Sequence, residues 1–150
     1  MTLKTAYILE KAGYKTGIYT SPHIFSFFER IKINRNNIDE KYFTESILKI
    51  HEIAKKNLLE LTFFEYLTAT GFEYFRSERC DFASIEVGLG GRYDTTNVIM
   101  PNLSIITSIG IDHEKLLGNT REQISKDKAG IIKDKTPVVI GPHANLDPIF

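Results

Sequence analysis

The amino-acid sequence predicts an α/β fold in which helices flank a mostly parallel sheet. Stretches with a helical apolar repeat alternate with short strand-like stretches, and this alternation is typical of α/β proteins. The stretch Leu103–Ile109 is almost continuously apolar, as in strands that are buried on both faces of a parallel sheet. The chain has 150 residues, of which 42% are hydrophobic, so it can form one core without disulfide or metal cross-links.

The first elements are a helix, a strand and an extended segment. Apolar residues cluster toward one side of residues 2–12, and Gly13 stands where a glycine commonly ends a helix. Thr16–Thr20 then has the character of a short buried strand, which Ser21 and Pro22 end. Residues 28–37 are predicted to be polar and extended, with a turn over the last four of them.

Two amphipathic helices are predicted next. The first covers roughly residues 40–58, because its apolar residues recur at steps of four, three and four. The second begins near Thr62, which forms a capping-box pair with Glu65. The apolar positions of the first helix are Phe43, Ile47, Ile50 and Ala54.

The second half of the chain is predicted to contain three strands and one helix. The first strand runs into a glycine-rich loop, Gly88–Gly91. The helix opens with another capping-box pair. We place the strands at residues 82–87, 103–109 and 137–141, and the helix from Thr120 and Gln123 to about Gly130.

Charge and cysteine content exclude several classes of protein. Lys plus Arg and Asp plus Glu both number 19, so a basic nucleic-acid-binding surface and a polybasic membrane surface are disfavoured. Cys80 is the single cysteine, which excludes an intramolecular disulfide and a cysteine-based zinc site. No apolar run approaches the roughly 18 residues that span a bilayer, and the first residues do not form a signal peptide. We therefore expect a cytoplasmic protein without nucleic-acid or membrane partners.

Chemically useful side chains follow three of the predicted strands. Ser21 follows the first strand, Glu86 lies near the end of the second, and His113 follows the third. Because ligands of open α/β sheets collect beyond the carboxyl ends of the strands, we expect these side chains at one sheet edge. A hydroxyl, a carboxylate and an imidazole suit a hard divalent cation such as magnesium or manganese. Taken singly, Ser21 is as well explained by a turn, His113 by a loop and Lys128 by a solvated helix surface.

The glycine-rich loop does not match a known phosphate-binding loop. Gly88–Gly91 lacks the third small residue of the dinucleotide fingerprint, because Tyr93 occupies that position. The pattern G-x-x-x-x-G-K-[ST] is absent from these 150 residues. Its nearest imitation, Gly13–Thr16, has its lysine one place too late and follows a helix rather than preceding one.

Several runs of residues together resemble one known family. The sequence is similar to folylpolyglutamate synthase and dihydrofolate synthase, the folate branch of the Mur ligase superfamily, over essentially its whole length. The runs that carry this resemblance are residues 20–23 (TSPH), 29–31 (ERI), 86–92 (EVGLGGR) with Asp94 and Thr96-Asn97, 107–109 (TSI) with Asp112-His113, and 128–133 (KAGIIK).

The resemblance implies an ATP-dependent amide ligase. In that family, ATP phosphorylates the terminal carboxylate of a folate, and the amine of glutamate attacks the resulting acyl phosphate. Many bacterial members also join dihydropteroate to glutamate. Magnesium is implied as the cofactor, because it neutralises the transferring phosphoryl group. We expect small-molecule partners only (folate or dihydropteroate, glutamate and ATP) and a monomer.

The resemblance also implies roles for individual residues. Ser21 and Glu86 correspond to ligands of one magnesium ion, and Glu86, His113 and Lys128 to ligands of a second ion, so that Glu86 bridges the two. Lys128 is implied to be carbamylated, and Lys128 and His113 are the implied catalytic residues. The residues implied to line the pterin pocket are Thr62, Phe64, Asp94 and Thr95; Phe64 either stacks on the pterin or is a core aromatic of its helix.

The sequence also departs from the family pattern. Family members have a strand and a G-T-N-G-K-G-[ST] loop directly before the helix that here begins the chain, and a further C-terminal domain. We therefore expect residues 1–150 to be a partial Mur-ligase central domain of the P-loop type. We expect the isolated chain to bind ATP poorly and to lack ligase activity. Without the family's central strand, residues 17–19 and 103–109 are expected to face an unfilled gap or an unpaired strand edge.

Two alternatives to the ligase remain open. One is a non-catalytic folate-binding or interaction module. The other is a Mur-type ligase that acts on cell-wall nucleotide peptides, which the pterin-pocket run at residues 61–65 disfavours.

Overall fold

A computed structural model describes residues 1–144, with Glu114 described by its backbone alone. The chain divides into two compact units, the first from Met1 to Glu86 and the second from Val87 onward. Each unit has its own sheet and its own buried cluster of apolar side chains.

The first unit is built on a four-stranded sheet in the order β3-β2-β1-β4. β1 is parallel to β4 and antiparallel to β2, and β2 is antiparallel to β3. Its elements are α1 (Thr2–Lys11), β1 (Thr16–Tyr19), a 3₁₀ turn (Phe27–Arg30), β2 (Ile31–Ile33), β3 (Asn36–Asn37), α2 (Glu40–Lys56), α3 (Phe63–Ser77) and β4 (Phe82–Ile85).

The predicted helices of this unit are confirmed, and local sequence signals set their ends. The chain leaves α1 through Gly13, whose φ of +94° is a conformation that glycine adopts without strain. The Asp39 side chain accepts a hydrogen bond from the Tyr42 N–H and caps α2. Thr62 and Glu65 form the predicted capping box at the start of α3.

The segment after β1 differs from its prediction. Residues 28–37 are not uniformly polar and extended: they contain a 3₁₀ turn and the β2–β3 hairpin. Ile31 and Ile33 are buried, because β2 pairs with β1 and turns both side chains into the core. The predicted unpaired edge on residues 17–19 is therefore wrong, since β1 has β2 on one side and β4 on the other.

The second unit contains a pair of parallel strands and two helices. β5 pairs with β6 alone in the described residues, so its other edge is unpaired there, as predicted. Ser104 and Ile106 of β5 are buried, but Thr107 and Ser108 are exposed, so the predicted burial of both faces is wrong for the end of this strand. The elements are β5 (Ser104–Ser108), α4 (Glu114–Leu117), α5 (Arg121–Lys128) and β6 (Val138–His143), with 3₁₀ turns at Thr95–Val98 and Ala129–Ile131.

These elements confirm the α/β class. Helices accompany parallel strand pairs in both units, while the β2–β3 hairpin adds antiparallel pairs to the first. The capping box of Thr120 and Gln123 opens α5 as predicted. Across residues 1–144, no helix combines the length and the apolar character needed to cross a bilayer.

Candidate active site

The structure brings Ser21 and Glu86 together at the end of two parallel strands. Tyr19, the last residue of β1, lies opposite Ile85, the last residue of β4, so the residues that follow leave the sheet side by side. The Glu86 N–H donates to the Tyr19 carbonyl oxygen at 2.9 Å. The Ser21 N–H donates to Glu86 Oε2 at 3.0 Å. The prediction that these two residues share one sheet edge is therefore confirmed.

Two oxygen atoms of this pair remain available for a ligand. Neither Ser21 Oγ nor Glu86 Oε1 has a hydrogen-bond partner among residues 1–144, and both residues are partly exposed. A hydroxyl and a carboxylate oxygen are the donors that Mg²⁺ prefers, and this ion commonly keeps several waters beside one or two carboxylates. The described residues contain no group of three His, Cys, Asp or Glu side chains placed to hold a metal. Because Mg²⁺ keeps several of its waters, the hydroxyl of Ser21 and one carboxylate oxygen of Glu86 fit a largely hydrated magnesium ion.

Asp94 organises the glycine-rich loop of the second unit. Its Oδ2 accepts the N–H groups of Gly88 (3.1 Å) and Leu89 (2.9 Å). Its Oδ1 accepts the N–H (3.0 Å) and the hydroxyl of Thr96. These hydrogen bonds fix the loop that begins two residues after Glu86. The resemblance assigns the same carboxylate to the pterin pocket. Thr95 lies beside it and is half-buried.

The same loop is packed tightly against the residues that carry Lys128. The Arg92 N–H donates to the Asp127 carbonyl oxygen at 2.9 Å. A Cβ atom on Gly91 would lie only 2.8 Å from the Lys128 carbonyl oxygen and 2.9 Å from its Cα, so the two backbones are in direct contact. The Lys128 side chain is half-buried and has no ion pair or hydrogen bond within the described part of the chain.

Asn97 ties this loop to the end of α5. Its Nδ2 donates to the carbonyl oxygens of Arg92 (3.0 Å) and Gly130 (3.1 Å), and Lys133 Nζ donates to the Asn97 carbonyl oxygen (3.1 Å). The position of Lys128 is therefore fixed by the loop as well as by its own helix.

His113 lies in the second unit, directly after β5 and its short exit loop. Its φ of +53° belongs to the left-handed region, which histidine adopts more readily than most residues. Its side chain is exposed, and its Nε2 lies 3.6 Å from Asp112 Oδ2. Lys128 lies in the same unit, whereas Ser21 and Glu86 lie in the first.

The two remaining pocket residues predicted by resemblance have structural contacts on α3. The Thr62 hydroxyl accepts from the Glu65 N–H and donates to the Glu65 carboxylate at 2.7 Å. Hydrogen bonds from the backbone N–H and hydroxyl of Thr62 lower the pKa of Glu65. Phe64 packs against the core cluster, and its ring centre lies 6.0 Å from that of Tyr19. Of the two roles predicted for Phe64, this contact corresponds to a core aromatic of its helix. The exposed aromatic at this helix end is Phe63.

Sequence reasoning assigned no role to the loop that leads from Ser21 to β2. Glu29 Oε1 accepts three consecutive backbone N–H groups, from Ile24 (2.6 Å), Phe25 (2.5 Å) and Ser26 (2.9 Å). Arg30 is buried, and its Nε donates to His23 Nδ1 at 2.9 Å. The sequence signal that could have pointed to this loop is the run of residues 29–31. That run contributes to the family resemblance, but no role was assigned to its residues.

The Glu29 contacts predict an acid-sensitive loop. The pKa of Glu29 lies below its usual 4.5, because the N–H groups of Ser26, Phe25 and Ile24 donate to the carboxylate. A lowered pKa in the folded state means that the stabilisation is present above pH 4.5 and is lost as the pH falls through the lowered value. We expect the amide NMR resonances of residues 24–26 to shift together over that acidic range.

Glu29→Gln is the control for this titration, because glutamine has no charge to lose. Its amide oxygen can still accept the same N–H groups, so the three resonances should then be independent of pH. Resonances that do not move in the wild-type chain as the pH falls would contradict the proposed role of Glu29.

Comparisons with known proteins agree with the resemblance predicted from the sequence. No family model matches the chain. The chain is 43% identical over 148 residues to folylpolyglutamate synthase of Lacticaseibacillus casei, which is 95% of this chain and 34% of that protein. It is 45% identical over 137 residues to the dihydrofolate synthase/folylpolyglutamate synthase of Bacillus subtilis, which is 88% of this chain and 32% of that protein. The chain thus spans about one third of the length of these relatives.

Solved structures show the same similarity in fold. Escherichia coli FolC in complex with DHPP and ADP matches with a TM-score of 0.90 at 35% identity, over 99% of this chain and 36% of that one. An FPGS–AMPPCP–folate complex matches with a TM-score of 0.88 at 40% identity, over 93% of this chain and 35% of that one. The predicted Mur-ligase-type α/β fold is therefore confirmed over the part of these proteins that the chain covers.

Proposed function

The chain is related over its own length to the folylpolyglutamate and dihydrofolate synthases, and on this premise we propose that it serves an ATP-dependent ligase reaction. The reaction joins the amine of L-glutamate to the γ-carboxylate of a folate through an acyl phosphate. We also propose that dihydropteroate serves as an acceptor and is joined to glutamate in the same way. The solved relatives that bind folate, DHPP, ADP or AMPPCP support substrates of these classes. We further propose a cytoplasmic monomer that acts on small molecules only.

The observation that carries this proposal is the Ser21–Glu86 pair. Its two unpaired oxygens lie at the carboxyl end of parallel strands, where α/β proteins bind their ligands. These oxygens would hold Mg²⁺, which supplies positive charge to the phosphoryl group when it is bound. His113 and Lys128, including carbamylation of Lys128, are proposed as further ligands from the resemblance alone.

The chain's own residues contribute orientation and rigidity. The Ser21 N–H holds Glu86 Oε2, so that Oε1 is left to face a ligand. Asp94 holds the N–H groups of Gly88 and Leu89 and thereby fixes the loop that follows Glu86. This preorganisation matters because phosphoryl transfer depends on positioning and on electrostatic stabilisation more than on covalent chemistry.

The test is an assay of glutamate addition in an enzyme that contains these 150 residues. Folate and dihydropteroate are offered separately with ATP, Mg²⁺ and L-glutamate, and the products are identified by mass spectrometry. We expect products that carry one added glutamyl group, and we expect their formation to stop when EDTA removes the metal. Unchanged product formation in EDTA, or no glutamyl product from either acceptor, would refute the proposal. Binding of folate without any product would favour the non-catalytic module.

A further inference from the structure

Arg30 is a buried cation without an anionic partner. Its residue is 9% exposed, and no carboxylate lies within ion-pair distance of its guanidinium among residues 1–144. Among the described residues, the side chain of Arg30 donates one hydrogen bond, from its Nε to His23 Nδ1. Its two terminal nitrogens have no hydrogen-bond partner among the described residues and are not closed off from solvent, so they can donate to a ligand that supplies negative charge.

The contact with Arg30 also fixes the state of the His23 ring. Arginine has donors and no acceptor, so the 2.9 Å contact requires that His23 Nδ1 accept the hydrogen bond. Nδ1 therefore carries no proton, and the ring proton is on Nε2. Arg30 and His23 together present N–H donors from the Arg30 terminal nitrogens and from His23 Nε2.

This donor pair lies beside the Ser21–Glu86 site. The Thr20 N–H donates to the Arg30 carbonyl oxygen at 2.9 Å, and the paired strands place Tyr19 opposite Ile31. Arg30 is thus held at the end of β1, next to the turn that carries Ser21. His23 is two residues beyond Ser21 on the same turn.

An exposed aromatic side chain contacts the His23 ring, and a second exposed aromatic contacts the first. The His23 ring lies 4.3 Å from the ring of Phe27, and the Phe27 ring lies 5.7 Å from that of Phe63 in an edge-to-face arrangement. Phe25 is 92% exposed on the loop that Glu29 holds. A ligand at this position would meet N–H donors for an anion and aromatic rings for an apolar, planar body.

We propose that Arg30 and His23 bind the carboxylate of an aromatic acid. Two terminal guanidinium nitrogens match the two oxygens of a planar carboxylate, and the neighbouring Phe27 and Phe63 match its ring. This inference deepens the proposed function. It rests on that function in one respect, the identification of the aromatic acid with the acceptor substrate of the ligase. It assigns Arg30 and His23 to the recognition of that substrate's acidic end.

The test compares two ligands of nearly the same shape, one with a carboxylate and one with a neutral amide that has an NH2 group in place of one carboxylate oxygen. The 150-residue chain is titrated with 4-aminobenzoate and with its neutral analogue 4-aminobenzamide, and binding is followed by NMR. We expect the benzoate to bind more tightly than the benzamide. Arg30→Met should raise the Kd for the benzoate at least about tenfold and leave the Kd for the benzamide nearly unchanged. Arg79→Met, at an exposed arginine without an ion pair among the described residues, is the matched control and should change neither.

A second variant separates the contribution of His23 and guards against misfolding of the Arg30 variant. In His23→Asn, the side-chain oxygen can still accept from Arg30 Nε, but the Nε2 donor is lost. We expect a smaller rise of the benzoate Kd than in Arg30→Met. In the wild-type chain, the ¹⁵N resonances of His23 should show an unprotonated Nδ1.

Three results would overturn the assignment. They are equal affinities for benzoate and benzamide in the wild-type chain, an unchanged benzoate Kd in both variants, and tighter binding of inorganic phosphate than of benzoate at Arg30. None of these measurements needs turnover, so an inactive ligase with intact benzoate binding would refute the proposed function and not this site.

Discussion

Replacing Glu86 by glutamine is expected to lower the rate of glutamate addition by at least about a hundredfold. Glutamine is nearly isosteric and its amide oxygen still accepts the Ser21 N–H, so the hydrogen bond of 3.0 Å should persist. The substitution removes the negative charge that the proposed magnesium site would supply to the ion. The measurement is kcat in an enzyme that contains these residues, together with the Mg²⁺ concentration that gives half-maximal rate.

The control for this prediction is Glu52→Gln, because Glu52 is an exposed carboxylate on α2. Its kcat and Mg²⁺ dependence should equal those of the wild-type enzyme. The thermal unfolding of Glu86→Gln should also match the wild type, which would show that the loss is chemical. Wild-type activity in Glu86→Gln would remove the metal assignment.

Replacing Gly91 by alanine is expected to destabilise the second unit by about 1–3 kcal/mol. The added Cβ would lie 2.8–2.9 Å from backbone atoms of Asp127 and Lys128, and backbone atoms cannot rotate away as a side-chain end can. The loop and the end of α5 must therefore separate. The free energy of unfolding in denaturant measures the cost, and the amide resonances of residues 127–130 report the displacement.

Gly110→Ala is the matched control, because a Cβ on Gly110 would meet no atom within 4 Å. Both substitutions remove the same amount of backbone freedom from the unfolded chain, so the difference between them isolates the steric contact. Equal stabilities of the two variants would contradict the tight packing of the loop on α5.

Local sequence signals were sufficient to predict α1, α2, α3 and α5, but not the short helix α4 or the β2–β3 hairpin. The capping pairs at Thr62 and Thr120 act through hydrogen bonds within three residues, so they can be recognised from the sequence. The burial of Ile31 and Ile33 depends on pairing with Tyr19 and Gly17 of β1, which lie 12 and 16 positions earlier in the chain. Locally, the lysine between the two isoleucines gives the segment a polar character. The local pattern therefore did not reveal that β2 is a buried strand, because its burial depends on pairing with a distant part of the chain.

The candidate site divides in the same way. The meeting of Ser21 with Glu86 follows from parallel pairing of the strands before them, so it could be predicted. The contacts of Asp94 and Arg30 depend on how a loop folds back on itself, and no spacing rule describes them. The proposed roles of His113 and Lys128 come from the resemblance alone. The structure shows only which neighbouring residues each of them contacts.

The four hydrogen bonds of Asp94 limit what this residue can offer to a substrate. A carboxylate has about four acceptor positions, and here the donors of Gly88, Leu89 and Thr96 occupy them. A pterin N–H can reach this carboxylate only by displacing one of those donors. Pterin recognition at Asp94, which the resemblance implies, would therefore be an exchange rather than an addition, and it would couple substrate entry to the release of a loop amide. The affinity of such a site for a pterin would include the cost of loosening the loop as well as the strength of the new contact.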